Sequence, residues 1–450
     1  MKDIAVHSNQ TITPSGVKEA TIIIRGGIIK DVVFEPVDSG DIDLIDVGDK
    51  VLMAGIIDPH VHINEPGRTD WEGFNTATKA AIAGGITTLV DMPLNASPVT
   101  TNVQAFNEKL ASTPGQLHTN CGFWGGIIPG NDHEIEPLIN MGILGFKAFL
   151  THSGIDEFPN VTEKDLRKAM PLIAASGLPL LVHCELESNV PDFGNNPRSY
   201  QSYLKSRPCQ WEDDAISLMI RLCEEYQCRV HIVHLSSANS LGQIAVAKEK
   251  GLPITVETAQ HYLFYSAESI EDGETQFKCA PPIRGKENNE QLWQALKDGI
   301  IDFVATDHSP APPLLKLIES GDFVDSWGGI SSLQFALPIL WTAAEKRGCT
   351  LEQLAMWLCI NPAKLIGYER KKGQIVKGYD ADLVVWGHKE KFVVETGMIF
   401  HKHKLSPYIG ESLSGVVKQT YLSGVEVFNE GRFLLNKGEI LKPCTIFFEP

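Results

Sequence analysis

The sequence has comparatively few basic residues and no long apolar run. Its 39 Lys and Arg residues are outnumbered by 56 Asp and Glu residues, which gives a formal net charge of −17. Such a negative field repels nucleic-acid phosphates and the anionic face of a membrane, so we expect neither as a partner. Nowhere do about 18 uninterrupted apolar residues occur, as a transmembrane helix would require. These absences favour a soluble protein.

Secretion signals and disulfide motifs are also missing from the sequence. The first residues, MKDIAVHSNQTITPSG, are polar where a signal peptide needs an apolar core. The nine cysteines are an odd number and show no paired CxxC spacing, which is typical of reduced thiols in a reducing compartment. We therefore expect a cytoplasmic protein.

Length and patterning indicate one large domain with a smaller module. The chain has 450 residues, of which 43% are hydrophobic, and single cores stop growing near roughly 300 residues. Residues 1–50 and 373–450 alternate apolar and polar in short runs around Gly-rich turns, as β hairpins do. We predict that these two segments form one small β-sandwich module into which a domain of residues 51–372 is inserted.

Within residues 51–372, eight short apolar runs alternate with segments of helical character. This alternation is typical of βα units around a parallel sheet, and eight units predict a (β/α)8 TIM-like barrel of the α/β class. In such a barrel the working residues gather at the carboxyl ends of the strands. The runs are VLMAGIID from Val51, ITTLVDM from Ile86, NCGFWGGI from Asn120, ILGFKAFL from Ile143, PLLVHC from Pro179, RVHIVHL from Arg229, PITVET from Pro253 and IDFVAT from Ile301.

Five of the eight runs carry a candidate metal ligand at or near their ends. His60 and His62 follow the first run, and the period of two along a strand places both imidazoles on one side. Taken alone, such a pair is as readily a chance surface pair as a chelating pair. Later runs add His183, His234 and Asp307. Their coincidence at successive strand ends predicts a binuclear metal centre.

Lys147 lies inside the apolar run ILGFKAFL, which implies that it is buried. Burial lowers the pKa of a lysine and favours the neutral amine, which can capture CO2 as a carbamate and bridge two cations. The alternative is a lysine that reaches solvent or pairs with a carboxylate. Imidazole nitrogens and carboxylate-like oxygens without thiolate favour two Zn2+ or similar divalent ions over Ca2+ or Mg2+.

Two further histidines are expected outside the metal centre. His231 precedes His234 by three residues and so faces the opposite side, which favours a packed or hydrogen-bonded role. His308 alternates away from Asp307 in the same manner. The polar stretch 185–211 follows a strand end expected to be catalytic, and it is either a mobile loop over the site or a connecting helix.

The segments GIIDPHVHINEPGRTDWEGF, AAIAGGITTLVDMPLN, GFKAFL, LLVHCE, HIVHLSS, KCAPPIR, ATDHSPAPP, SWGGI and HKLSPY are similar to those of the amidohydrolase superfamily. Over essentially its full length the chain resembles the cyclic amidohydrolases, which include enzymes acting on allantoin, dihydroorotate and hydantoins. The resemblance implies that one ion is bound by His60, His62 and Asp307, the other by His183 and His234, and that carboxylated Lys147 bridges both.

The resemblance also implies a mechanism, substrate contacts and an assembly. A metal-bridging hydroxide would attack a ring carbonyl while Asp307 takes its proton and returns it to the departing nitrogen. The segment KCAPPIR around Cys279, the loop THSG with Ser153, and Asn64 would contact the substrate. A homotetramer is implied as well.

Within this family, PGRTDWEGF, DMPLN and HKLSPY favour the enzymes that open the hydantoin ring of allantoin to give allantoate in purine (ureide) catabolism. Dihydroorotases bind the substrate carboxylate with an arginine and an asparagine where this chain has Asn64 and Leu94, although Arg68 and Asn95 lie nearby. Hydantoinases place a tyrosine where this chain has His152. Dihydroorotase and hydantoinase activities are the alternatives. A non-catalytic scaffold is a third alternative, which retention of all six metal-binding positions disfavours.

Overall fold

The computed structural model of the protein describes residues 3–35, 42–188, 193 and 196–444. Eighteen strands and twelve α-helices occur among them. The strands are β1 Ile4–Thr13, β2 Gly16–Arg25, β3 Ile28–Val33, β4 Asp43–Asp46, β5 Val51–Ala54, β6 Ile56–Val61, β7 Ile86–Asp91, β8 Asn120–Phe123, β9 Gly125–Gly126, β10 Phe146–Phe149, β11 Leu180–His183, β12 Val230–Ile232, β13 Ile254–Ala259, β14 Phe303–Ala305, β15 Leu383–Val393, β16 Ser412–Leu422, β17 Val425–Asn429 and β18 Arg432–Phe433. The α-helices are α1 Phe74–Ala83, α2 Val103–Ala111, α3 Ile135–Met141, α4 Glu163–Ser176, α5 Tyr200–Ser206, α6 Cys209–Tyr226, α7 Leu241–Glu249, α8 Gln260–Phe264, α9 Lys286–Lys297, α10 Ala336–Glu345, α11 Leu351–Ala355 and α12 Asn361–Leu365.

The predicted (β/α)8 barrel is confirmed by strands β6 to β14. One ladder has the order β14-β13-β12-β11-β10-β9 and a second has the order β6-β7-β8. The ladders are connected where the backbone N–H of Leu144 donates to Phe123 O at 2.9 Å. On the other side, Val61 pairs with His308 in a parallel bridge, and the N–H of His62 donates to His308 O at 2.8 Å. The first and last strands are therefore joined, and the barrel is closed.

The two ends of the chain combine in one nine-stranded sheet. Its order is β18-β17-β16-β15-β5-β1-β2-β3, with β4 paired to β1. The run from Val51, expected to be the first barrel strand, is split: β5 pairs with β15 and β1, and only β6 enters the barrel. The break falls at Gly55, where a Cβ would lie 2.1 Å from the Thr87 hydroxyl. Strand β5, which begins at the predicted boundary of residue 51, therefore belongs to the nine-stranded sheet, and the barrel begins with β6.

The prediction assigned all of residues 373–450 to the β module. In the structure, the last described residues leave the nine-stranded sheet. Residues after β18 return to the barrel, where Ile440 forms a parallel bridge with Cys121 of β8. The N–H of Cys121 donates to Glu439 O, and that of Leu441 donates to Cys121 O, both at 2.9 Å. Leu441 is buried among hydrophobic residues of the barrel. This apolar contact stabilises the return of the chain to the barrel.

The segment 185–211 carries helix α5 and the start of α6 in its described part, while residues 189–192, 194 and 195 lie outside the described residues. Tyr200 and Tyr203 of α5 are buried, and their rings contact that of Phe323. No helix in the described ranges is both long and apolar enough to cross a membrane.

Candidate active site

Three buried side chains meet where the first and eighth barrel strands end. His60 is the penultimate residue of β6, His62 follows that strand, and Asp307 follows β14. Asp307 Oδ1 lies 3.2 Å from His60 Nε2 and 3.7 Å from His62 Nε2. The candidate ligand atoms of the three residues lie within 4.8 Å of one another. Two imidazoles and a carboxylate at this spacing suit a divalent metal ion.

A second pair of imidazoles lies beside this group. Nδ1 of His183, the last residue of β11, is 3.0 Å from Nε2 of His234. The His234 ring centroid is 5.4 Å from that of His60, so the two groups are neighbours. The ring of Phe149 stacks on His183 at a centroid distance of 4.5 Å. Four of the histidines singled out in the sequence therefore converge on one place.

Lys147 in β10 is fully buried, and its Nζ has no hydrogen-bond partner within the described residues. Burial lowers its pKa to about 8, although Glu257 and Asp307 act in the opposite direction. A lysine reaching solvent or paired with a carboxylate is therefore not what the structure contains. The amine is accessible in its neutral form near neutral pH, which is the form that reacts with CO2.

Two buried carboxylates orient the imidazoles. Glu257 contacts Nδ1 of His60, and Glu185 lies 2.8 Å from Nε2 of His183. Since a carboxylate only accepts, each contacted nitrogen carries the proton and the other ring nitrogen keeps its lone pair. Burial alone would raise the pKa of Glu185, but Arg207 and His183 bring it down to about 2. Both acids therefore stay ionised and determine which imidazole nitrogen can bind a cation.

The electrostatics of the site fit bound metal ions. Burial lowers the pKa of His183 to about 4 and keeps those of His62 and His234 well below the usual value. Neutral imidazole is the form that binds metal. Burial raises the pKa of Asp307, while His60 lowers it. Unpaired nitrogen donors and a carboxylate in a buried site are the groups that a divalent ion would satisfy.

Backbone conformation at the strand ends is strained. Asn64, Asn95, His234 and Asp307 have φ of 66°, 67°, 36° and 46°, the left-handed region that residues with a Cβ rarely adopt. Each such residue costs on the order of 1–3 kcal/mol and persists only where its surroundings impose it. Two of the four are candidate metal ligands, so the strain falls where side chains must be aimed at a common point.

A cavity of about 490 Å3 opens beside these residues. Ser153 and Cys279, for which the family resemblance implied substrate contacts, line this cavity. Asn64 does not: it is fully buried, and its Nδ2 lies 3.3 Å from Pro310 O. The wall includes Leu94, Asn95, His152, Glu187, Tyr203, Arg207, Trp211, Lys278, Ser309, Phe323 and residues 324–329.

His231 and His308 have partners other than the candidate metal centre. Nδ1 of His231 is 2.8 Å from Thr255 Oγ1, and its Nε2 is 3.1 Å from Glu257 Oε2. Nδ1 of His308 accepts the backbone N–H groups of Ser332 and Leu333 at 3.0 and 3.2 Å. The role of Glu257 as a partner of His60 and His231 was not predicted from the sequence. Its position in the run PITVET, near the end of a predicted barrel strand, was a signal of the kind used for the other residues.

Comparisons with known proteins agree with this architecture. Residues 51–431 match the amidohydrolase family. The allantoinase of Arabidopsis thaliana is 44% identical over 95% of this chain and 88% of its own length, and that of Streptomyces avermitilis is 44% identical over 98% of both. The L-hydantoinase (dihydropyrimidinase) of Arthrobacter aurescens superposes with a TM-score of 0.93 at 30% identity, covering 98% of this chain and 100% of that one. The chain thus belongs to the amidohydrolase family, as its strand-end motifs indicated.

Proposed function

We propose that the protein is an allantoinase, which hydrolyses a ring amide of allantoin to give allantoate. The observation that carries this proposal is the convergence of four buried histidines, Asp307 and a buried unpaired Lys147 beside the cavity. The allantoinases of Arabidopsis thaliana, Streptomyces avermitilis, Aquarana catesbeiana and Saccharomyces cerevisiae are 42–46% identical to this chain. Their names favour allantoin among the cyclic amides that such a site can open.

We assign the six residues to two divalent ions, with zinc the favoured metal. His60, His62 and Asp307 would hold one ion, and His183 with His234 the other. Lys147, carboxylated by CO2, would bridge them, which accounts for its buried and unpaired Nζ. When bound, such ions lower the pKa of water and polarise a carbonyl.

The side chains of the chain supply the remaining steps. Asp307 would accept a proton from the attacking water and pass it to the departing ring nitrogen, and burial raises its pKa in the direction that suits an acid–base group. Glu257 and Glu185 hold His60 and His183 in the required tautomers.

Dihydroorotate is disfavoured because the cavity offers no free guanidinium for its carboxylate among the described residues. Arg207 lines the cavity but donates to both oxygens of Glu185. Arg68 is turned elsewhere: it donates to Asn95 O at 3.1 Å and to Glu157 at 2.6 Å. A neutral ureide has no such requirement.

Hydantoins are the second candidate, favoured by the structural neighbours that are hydantoinases. His152 lies on the cavity wall where those enzymes are expected to have a tyrosine. Its Nδ1 accepts the N–H of Gly154 at 3.1 Å, and its Nε2 is 3.4 Å from Asp156. The phenol expected to support the oxyanion of a hydantoin is therefore missing at this position.

The test compares kcat/KM for allantoin, dihydroorotate and a 5-substituted hydantoin on the metal-loaded protein. We expect allantoin to be preferred by about a hundredfold or more, since a wall built for one set of polar groups rejects analogues lacking them. About two equivalents of divalent metal per chain should be present. Better turnover of dihydroorotate would refute the proposal, and a protein without metal or activity would support the scaffold alternative.

We also propose a homotetramer in the cytoplasm. All nine cysteines are free, which accords with a reducing compartment. Light scattering of the purified protein tests the assembly, and a monomer would contradict it. Fractionation of the source cells tests the compartment.

A further inference from the structure

One wall of the cavity, residues 324–329, is tied down by a buried lysine that no step above uses. Lys316 Nζ donates to three backbone carbonyls: those of Gly329 at 2.8 Å, Trp327 at 2.9 Å and Lys278 at 3.2 Å. Only 4% of Lys316 is exposed. The three N–H bonds of an ammonium therefore match three carbonyl oxygens, two of which belong to the wall.

Lys278 contacts the same wall. Its Nζ donates to the carbonyls of Val324, at 3.0 Å, and Ser326. Its ammonium also lies 5.4 Å from the Tyr203 ring centroid. The two lysines together bind four carbonyls of the wall segment, which has no regular secondary structure of its own.

Burying an ammonium group away from water costs free energy, so the burial of Lys278 and Lys316 must be offset by favourable contacts. Neither Lys278 nor Lys316 forms an ion pair with a carboxylate in the described part of the chain. Burial lowers the pKa of Lys316 to about 7, but the three carbonyl oxygens around its Nζ need three N–H donors, which only the ammonium has. Charge-assisted hydrogen bonds to carbonyls offset this cost. What the bonds yield is a fixed backbone path along the cavity.

The wall contains two polar side-chain atoms that have no hydrogen-bond partner among the described residues. Ser326 Oγ and Trp327 Nε1 are buried and make no hydrogen bond within the described structure, and both residues line the cavity. Buried polar atoms normally have a partner, in the protein or in a ligand. A ureide carries several carbonyl and N–H groups that can supply it.

We propose that Lys316 is a positioning residue, whose ammonium holds the wall 324–329 so that Ser326 Oγ and Trp327 Nε1 meet the polar groups of the substrate. Lys278 assists from the other side of the same backbone. The identity of the substrate rests on the proposed function, whereas the ordering of the wall does not.

The test replaces Lys316 with methionine, which keeps an unbranched side chain as far as Cε and removes the ammonium donors. We expect hydrogen exchange at 324–329 to accelerate about tenfold and KM for allantoin to rise about tenfold, the size of the net contribution of a single hydrogen bond to the substrate. Bound metal and kcat should stay within about twofold, as for loss of binding alone. Lys164→Met, at an exposed position of α4, is the matched control and should change neither quantity.

Two more variants keep the test decisive. Ser326→Ala removes only the Oγ hydroxyl, which has no partner among the described residues, and should raise KM without changing exchange. If Lys316→Met does not fold, Lys278→Met is judged by the same criteria. Unchanged exchange at 324–329 would overturn the proposal, and so would a loss of kcat and metal at constant KM. If the protein does not hydrolyse allantoin, the exchange measurement still decides the role of Lys316.

Discussion

The carboxylate of Glu257 accepts a hydrogen bond from Nδ1 of His60, 197 residues away in the sequence. The same carboxylate lies 3.1 Å from Nε2 of His231. Strand β13 thereby reaches across to the end of β6 and selects the tautomer of His60. An acid that touches no substrate thus determines which nitrogen faces Asp307.

Glu257→Gln should weaken metal binding about 10- to 100-fold, because the amide loses the charge that holds His60. Metal titration of the apoprotein measures the change. Glu249→Gln, on the exposed side of α7, is the control. Equal affinity in the two variants would show that Glu257 has no such role.

Lys147→Ala should abolish turnover and most bound metal, because it removes the bridging anion and leaves two cations repelling each other. Activity assays with elemental analysis of the purified variant measure both. Lys164→Ala serves as the surface control. A variant that keeps two ions and full activity would exclude the carbamate.

Asp307→Asn should remain folded and keep part of its metal, yet lose turnover by roughly 10²- to 10⁴-fold, the contribution of an acid–base group. An amide cannot accept and return the proton. Circular dichroism and single-turnover kinetics separate folding from chemistry. Turnover near that of the unaltered protein would assign the proton transfer to another group.

Arg207→Met should lower the free energy of unfolding by about 3–5 kcal/mol, because the buried carboxylate of Glu185 would lose its only cationic partner among the described residues and keep only His183. Denaturant titration measures this loss. Arg221→Met breaks an exposed pair with Glu163 and should cost less than about 1 kcal/mol. Similar losses in the two variants would contradict the importance of burial here.

Acid should destabilise the protein partly through His261, which is fully buried without hydrogen-bond partners in the described structure. Burial lowers its pKa from 6.5 to about 3. Between these values the unfolded chain binds the proton and the folded protein does not, so stability falls as pH drops from 6.5 towards 3. The slope approaches about 1.4 kcal/mol per pH unit.

His261→Leu should flatten this dependence by removing the titrating group. Denaturant unfolding of the metal-free proteins at pH 7 and pH 5 measures the difference, and metal-free samples avoid proton-linked release of ions. Identical slopes would mean that other histidines carry the effect.

Local patterns in the sequence were sufficient to predict the barrel and the convergence of its strand-end residues. The lengths of apolar runs and the period of two along a strand are properties of neighbouring residues, and a parallel barrel brings all carboxyl ends together. The sequence therefore predicted, without knowledge of any distance, which residues lie together at the carboxyl end of the barrel: His60, His62, His183, His234 and Asp307. The metal roles assigned to them remain predictions.

Only the tertiary structure showed which distant residues hold the strand-end side chains and the cavity wall in place. Four features depend on contacts between segments that are remote in the sequence. They are the split at Gly55, the burial of Asn64, the contact of Glu257 with His60 and the hydrogen bonds of Lys316 to the wall 324–329. Such contacts follow from how strands are staggered and how loops cross, which no local period encodes. A charged residue in a sequence is normally predicted to lie on the surface. Only the packing of the folded chain shows which charged residues are buried with polar partners.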